Sequence, residues 1–261
     1  MSKLAMSKLE ILSIPVLSDN YVHLIHDPAT GATACVDPAV ATPVIKAAKD
    51  KGWTISHVLI THPHHDHIGG VPEIVATFGA EVYGSRDDFD AIPNCDHGVG
   101  QGDIVEVGSV SCKVLEVPGH TAHHVAYHFD SAKALFPGDT LFSLGCGRLF
   151  GGTAEQMWDS LKKLRSLPGP TQVYCAHEYT NANADFALNV DPDNADLQAR
   201  ANEVVKLREQ GLPTVPSVLE QEARCNPFLR CDIPSFQETV GMAGREAERV
   251  FAELRRQKDQ F

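Results

Sequence analysis

Apolar positions along the chain keep two different periods. In the earlier part they come in short alternating or continuous runs, which predict strands, and in the later part they recur at helical spacing. Residues 9–14, 21–26 and 33–37 read as short strands, and residues 43–51 as a helix stopped by Gly52. Residues 71–78 read as a second helix, stopped by Gly79, and residues 81–84 as a strand; strands then dominate from 104 to 136. Thr153 with Gln156 predicts a capping box for a helix over 154–167. From Tyr179 onward helices are separated by proline and glycine: 181–190, 194–210 ending at Gly211, a segment opened by a Ser217/Glu220 capping box, and a last helix over 245–258. The fold class is α/β, with a sheet-rich layered domain over residues 1–178 and a helical domain over residues 179–261.

At 261 residues the chain has room for one large or two modest domains, and a chain of this size buries roughly three quarters of its unfolded surface. Hydrophobic content of 43% and charged content of 21% are those of a soluble globular protein. No apolar run of about 18 residues and no basic-then-apolar leader is present, so a cytoplasmic location without a membrane partner is expected. The formal net charge of -12 opposes phosphate binding and argues against a nucleic-acid partner. Seven cysteines, odd in number and without CxxC spacing, read as reduced thiols. The start MSKLAMSKLE repeats MSKL, as an alternative start at Met6 or an expression artefact, and stays outside the fold argument. No coiled-coil or exposed apolar repeat is evident, and a monomer is expected.

Chemistry changes the picture after the apolar run ending at Ile60. There Thr61-His62-Pro63-His64-His65-Asp66-His67 puts four potential metal donors, His62, His64, Asp66 and His67, into six residues. In an extended segment His62 and His64 project to one side and can hold one cation, and Pro63 favours that geometry for His62. Asp66 and His67, past the bend, can reach a second cation, while His65 points elsewhere. A histidine-rich tract can also bind metal incidentally. Three later segments supply what this one lacks: apolar strands run into Pro118-Gly119-His120, into Pro137-Gly138-Asp139 and into His177-Glu178. Imidazole and carboxylate donors without thiolate suit zinc, iron or manganese.

The order THxHxDH, PGH, GDT and a late histidine resembles the metallo-β-lactamase fold superfamily. GCGRLF at 145–150, CAHEYT at 175–180, NPFLR at 226–230 and RRQKDQF at 255–261 make the chain similar, over nearly its whole length, to the hydroxyacylglutathione hydrolase (glyoxalase II) family. The resemblance implies an αββα sandwich with a C-terminal helical domain that closes one wall of the substrate cleft. It implies two divalent metal ions, zinc foremost with iron or manganese possible. His62, His64 and His120 would hold the first, Asp66, His67 and His177 the second, and Asp139 would bridge them. A hydroxide shared by the two cations is then the nucleophile, since metal coordination lowers the pKa of water from 15.7 towards about 7, and Asp66 and Asp139 are catalytic through it. Arg255 and Lys258 would grip the glycine carboxylate of glutathione, with Arg148, Phe150 and Tyr179 as further substrate contacts. The implied reaction is hydrolysis of S-(2-hydroxyacyl)glutathione, S-D-lactoylglutathione first, to glutathione and D-lactate, the second step of methylglyoxal detoxification.

Departures and rivals bear on that expectation. Phe150 stands where some relatives carry tyrosine, and His123 where glycine is frequent, which predicts strain of order 1 kcal/mol if that position needs a positive φ. Cys146 is expected to fit a tight turn rather than act as a thiol nucleophile, and Thr180 to cap a helix. Asp37 is open between orienting a metal ligand and ending a strand in an Asp-Pro turn. Arg245, Arg249 and Arg256 are open between a solvated helix face and substrate contact. The enzymatic rival is a mononuclear iron glutathione persulfide dioxygenase. A β-lactamase is disfavoured by the missing leader and by Asp139, where some lactamases use cysteine, and a non-catalytic binder of glutathione conjugates is the reading from another class.

Overall fold

A computed structural model describes residues 9–261; apart from Leu9, the MSKL duplication lies outside the described residues. The chain divides into two compact units, one holding the chain up to Leu115 with Val125–Ala134, the other Glu116–His124 with Leu135–Phe261.

The first unit is built on a six-stranded sheet of β1 (Glu10–Val16), β2 (Asn20–His26), β3 (Ala32–Val36), β4 (Thr54–Leu59), β5 (Glu81–Ser85) and β6 (Cys95–Val99), in that order. β1, β2 and β3 pair antiparallel, whereas β3 to β6 run parallel. Parallel neighbours need a crossover, which α1 (Ala41–Lys51) supplies between β3 and β4, and α2 (His65–Ile68) with α3 (Val71–Phe78) between β4 and β5. Gly52 and Gly79 stop α1 and α3 in the left-handed conformation the sequence predicts, at φ 70 and φ 68. Val22, Leu24, Val44, Ile55, Val58, Ile60 and Ile74 fill the core between sheet and helices. The parallel strands β3 and β4 thus deliver Asp37 and the Thr61–His67 segment at their carboxyl ends, where ligands of parallel α/β sheets bind. β7 (Ile104–Val107) and β8 (Val110–Glu116) form a hairpin, with β9 (Val125–Phe129) beside β8.

The second unit contains β10 (Ala134–Phe136), the two-stranded hairpin β11 (Leu141–Phe142) and β12 (Gly145–Cys146), and α4 (Ala154–Arg165). β13 (Gln172–Val173), α5 (Thr180–Val190), α6 (Ala195–Glu209), β14 (Ser217–Val218), α7 (Leu219–Cys225), α8 (Pro234–Thr239) and α9 (Ala247–Gln260) follow. The change from strands to helices near Tyr179 falls inside this unit. Trp158, Phe186, Phe228, Phe251 and Leu254 are among its buried side chains.

The Thr153/Gln156 capping box forms with both bonds in place, and Asn194 caps α6 through its side chain. Three expectations are corrected. Ser217 belongs to β14, paired with Val173, and α7 begins at Leu219 without a side-chain cap, so the Ser217/Glu220 box does not form. Thr180 is the first residue of α5, whose cap position is Tyr179, and its hydroxyl is paired with that of Thr214 at 2.5 Å. His123 is not among the described residues with positive φ; Gly119, at φ 152, makes the turn instead, so His123 carries no such strain.

Candidate metal centre

In the first unit the donors are set by a chain of hydrogen bonds that starts at Asp37. Its carboxylate accepts from the Thr61 amide at 2.8 Å and from the Thr61 hydroxyl at 2.7 Å. Its Oδ2 also takes the His67 Nδ1 proton, at 2.9 Å. The Thr61 hydroxyl has spent its one proton on Asp37, so it can only accept from His62 Nδ1, 3.0 Å away. His62 and His67 are thereby fixed with the proton on Nδ1 and a lone pair on Nε2. His62 Nε2 faces His64 Nδ1 at 2.9 Å, and His67 Nε2 lies 3.7 Å from Asp66 Oδ2. Asn20 holds Asp66 by donating to its Oδ2 at 3.1 Å and to its carbonyl at 3.2 Å. The structure therefore brings His62, His64, Asp66 and His67 together, and leaves His65 exposed. Asp37 follows the last residue of β3 at φ 49 and orients His67 by a hydrogen bond.

In the second unit Asp139 stands between two imidazoles. His120 Nε2 lies 3.4 Å from its Oδ2, and His177 Nε2 lies 3.4 Å from its Oδ1. The Arg148 carbonyl accepts from His120 Nδ1 at 2.8 Å, which again leaves the lone pair on Nε2. The Asp139 amide is tied to His124 Nε2 at 3.2 Å. Two glycines make the geometry possible. A Cβ on Gly147 would come within 2.0 Å of the Asp139 carbonyl, and one on Gly119 within 2.6 Å of Met157.

Both half-sets fit divalent cations. His62, His67 and His120 carry the tautomer a ligand needs, each fixed by an oxygen acceptor behind it, the arrangement that orients metal-bound histidines. The donors are nitrogen and oxygen only, and the carboxylates supply compensating charge.

Next to His120 and Asp139 the second unit has a cleft of about 520 Å³ lined by Phe142, Arg148, Phe150, Tyr179, Arg255 and Lys258. Tyr179 stacks on His177 at 4.7 Å, and Phe150 meets His120 edge-on at 5.3 Å. Arg255 is buried: it donates to the Cys146 carbonyl at 2.9 Å, pairs with Asp259 at 3.1 Å and lies over the Phe228 ring. Lys258 donates to the Ala182 carbonyl at 2.7 Å between the rings of Phe186 and Phe261. Burial, then the charges of Arg255 and Arg148, push its ammonium pKa down, against the pull of Asp185. Arg256 instead pairs with Glu253 on the exposed face of α9, and Arg245 precedes the helix. Burial foremost raises the Cys146 thiol to about 11 in spite of Arg255, which makes it a poor nucleophile.

Four residues of the site are not singled out by the sequence: Asn20, Phe142, Asp259 and Asn183, which also lines the cleft. Asn20 has no local signal beyond being a polar residue at the start of a strand that also carries His23 and His26. Phe142 and Asn183 are visible only through contacts distant in sequence, whereas Asp259 stands one helical turn from Arg255.

Residues 20–177 match the metallo-beta-lactamase superfamily, and residues 178–261 match the hydroxyacylglutathione hydrolase C-terminus. The chain is 54% identical over 256 residues to a hydroxyacylglutathione hydrolase of Rhodospirillum rubrum, covering 98% of this chain and 100% of the relative. It is 53% identical over 253 residues to one of Methylococcus capsulatus, covering 97% and 99%. Among solved structures it is similar to ETHE1 from Myxococcus xanthus, with TM-score 0.68, 25% identity and coverage of 94% and 89%. BLEG-1 B3 metallo-beta-lactamase, at 22% identity, TM-score 0.66 and coverage of 84% and 99%, shares the fold. With both halves matched in order and near-full-length relatives above half identity, the chain belongs to the hydroxyacylglutathione hydrolase family and has the metallo-β-lactamase fold.

Proposed function

We infer that the protein is a metal-dependent thioesterase that hydrolyses S-(2-hydroxyacyl)glutathione, S-D-lactoylglutathione foremost, to glutathione and a 2-hydroxy acid. The observation that carries this reading is the cleft of Arg148, Tyr179, Arg255 and Lys258 placed beside His120 and Asp139, in which Tyr179, Arg255 and Lys258 come from the segment that matches the family's own C-terminus. His62, His64 and His120 are proposed to hold one divalent cation, Asp66, His67 and His177 a second, and Asp139 both; the tautomers fixed by Asp37, Thr61 and the Arg148 carbonyl support that assignment. Bound there, such cations supply Lewis acidity and a water of lowered pKa.

The chain's own residues do the rest. Asp37 and Asn20 orient His67 and Asp66, and His124 holds the Asp139 backbone. Lys258, Arg255 and Arg148 are proposed to bind the glutathione carboxylates. Tyr179 and Phe142, packed edge to face at 5.4 Å, are proposed to shield the acyl–sulfur bond from bulk water. The leaving thiolate needs little acid help, so no protein acid is assigned. Phe150 offers a ring but no hydroxyl to the substrate.

Zinc as the resident metal, a monomeric state and a cytosolic location belong to the same proposal. The donor set suits zinc while accepting iron or manganese. All seven thiols are free, as a reducing compartment keeps them. No described helix is long and apolar enough to cross a membrane. The test is elemental analysis of the purified protein with a thiol-release assay on S-D-lactoylglutathione. Fully loaded protein that releases no thiol overturns the reading, and oxygen uptake on a glutathione persulfide would replace it with the dioxygenase.

A further inference from the structure

Glu222 on α7 is a fully buried carboxylate that no step above uses. Its Oε2 accepts from the Leu144 amide at 2.8 Å and from Asn226 Nδ2 at 3.2 Å. The same Asn226 amide donates to the carbonyls of Phe142, at 3.2 Å, and Gly145, at 3.0 Å. Leu144 lies between β11 and β12 and is a non-glycine residue in the left-handed region, at φ 58. Burial pushes the Glu222 carboxyl pKa up, while the Leu144 amide, the Ser217 and Ser143 hydroxyls and the Arg200 charge pull it back. A carboxylate offers acceptors alone, and the groups around it are donors. For stability by itself a packed apolar side chain does as well as a buried ion, so the value of this one lies in the geometry it fixes.

That geometry is a wall of the cleft. The Phe142 ring meets Tyr179, and the Cys146 carbonyl receives the Arg255 guanidinium. Asp139, just before the hairpin, is anchored separately: His124 holds its amide, and the Thr140 hydroxyl donates to the Val117 carbonyl. We propose that Glu222 is a positioning residue for glutathione recognition, which with Asn226 fixes the β11–β12 hairpin so that Phe142 and Arg255 keep the cleft in its binding shape. This rests on the glutathione thioester reading above.

The test compares metal-loaded wild type, Glu222→Ala and Glu222→Gln in turnover of S-D-lactoylglutathione, calorimetric binding of glutathione, metal content and thermal unfolding. Glu222→Ala is expected to raise KM and the glutathione Kd about tenfold, the loss of one good hydrogen-bonded contact, with kcat within about threefold and metal content unchanged. Glu222→Gln should restore most of the affinity, because its oxygen still accepts from Leu144 and Asn226 while its amide meets hydroxyls that can accept. Wild-type KM and Kd in Glu222→Ala, whatever its melting temperature, overturn the proposal. So does a glutamine variant no better than alanine, or loss of metal alongside affinity. If Glu222→Ala does not fold, Glu222→Asp, one methylene too short to reach both donors, takes its place, and an unchanged KM there is equally fatal. Wild type that binds glutathione but releases no thiol instead sinks the thioesterase reading, and the Kd comparison still decides the role of Glu222.

Discussion

In the first unit four donors occupy one short loop and helical turn after β4, whereas in the second His120, Asp139 and His177 each leave a different strand end. The first set is supported by two side chains: Asp37, at the end of the neighbouring strand, fixes His67 directly and His62 through Thr61, and Asn20 of β2 holds Asp66. The second depends on turns: Gly119 at φ 152 before His120, Gly138 at φ 50 before Asp139, and the carbonyl of Arg148 behind His120. A compact motif concentrates its weakness in a few supporting side chains. A dispersed one spreads it over backbone geometry that side-chain substitutions leave largely intact.

The largest effect should come from striking the dispersed set at its one shared carboxylate. Asp139→Ala is expected to reduce kcat/KM by more than the roughly 10–100-fold typical of losing an outer-shell partner, and to lower the content of both metals in elemental analysis. Metal content equal to wild type would remove Asp139 from the proposed bridging position. Asp37→Asn strikes the support of the compact set. Metal affinity measured by chelator competition should fall by about 10–100-fold at both ions, because His62 belongs to one proposed site and His67 to the other. If only one metal weakens, Asp37 does not support both imidazoles.

Smaller effects lie away from the donors. Lys258→Ala should raise KM by about tenfold, from loss of a charged hydrogen bond, with kcat held; a fall in kcat at constant KM would contradict the gripping role. Arg255→Ala should raise KM similarly but also lower the melting temperature, since the guanidinium fastens α9 to the Cys146 carbonyl. Least of all should turnover respond to Asp27→Asn. Burial raises the Asp27 carboxyl pKa, but the Ser109 amide and hydroxyl, the Thr30 hydroxyl and the Ala29 amide outweigh it and hold the pKa well below the ordinary carboxylate range. A carboxylate whose pKa is depressed in the fold stabilises it at every pH above its unfolded value near 3.9, and that stability is lost as pH falls further. Acid melts should therefore show the wild-type advantage at neutral pH shrinking below about pH 4, with kcat/KM unaffected.

The same contrast between local and dispersed construction governs what the sequence disclosed. The Thr153/Gln156 box was legible because both partners stand within one turn, and the stops at Gly52 and Gly79 because each acts on its own helix. The Ser217/Glu220 box looked identical and failed because β13, distant in sequence, claims Ser217 as a strand partner. Thr180 falls one place inside α5, with its hydroxyl paired to that of Thr214. The seven proposed donors were visible as residue types in a recognisable order. Asn20, Asp37 as a hydrogen-bond hub, and Glu222 became evident only when strand ends and helices from far along the chain met. Glu222 in particular reads as an ordinary surface charge of a short helix, and no local periodicity marks it as buried.

Arg148 shows how two duties can be separated on one amino acid. Its carbonyl fixes the His120 ring, while its side chain reaches the cleft and touches Asp259 only at 3.8 Å. A peptide oxygen survives any replacement, so this position can change its charge or size without disturbing the imidazole behind it. Substrate preference in this fold is free to drift at such a site while the reaction centre stays as it is.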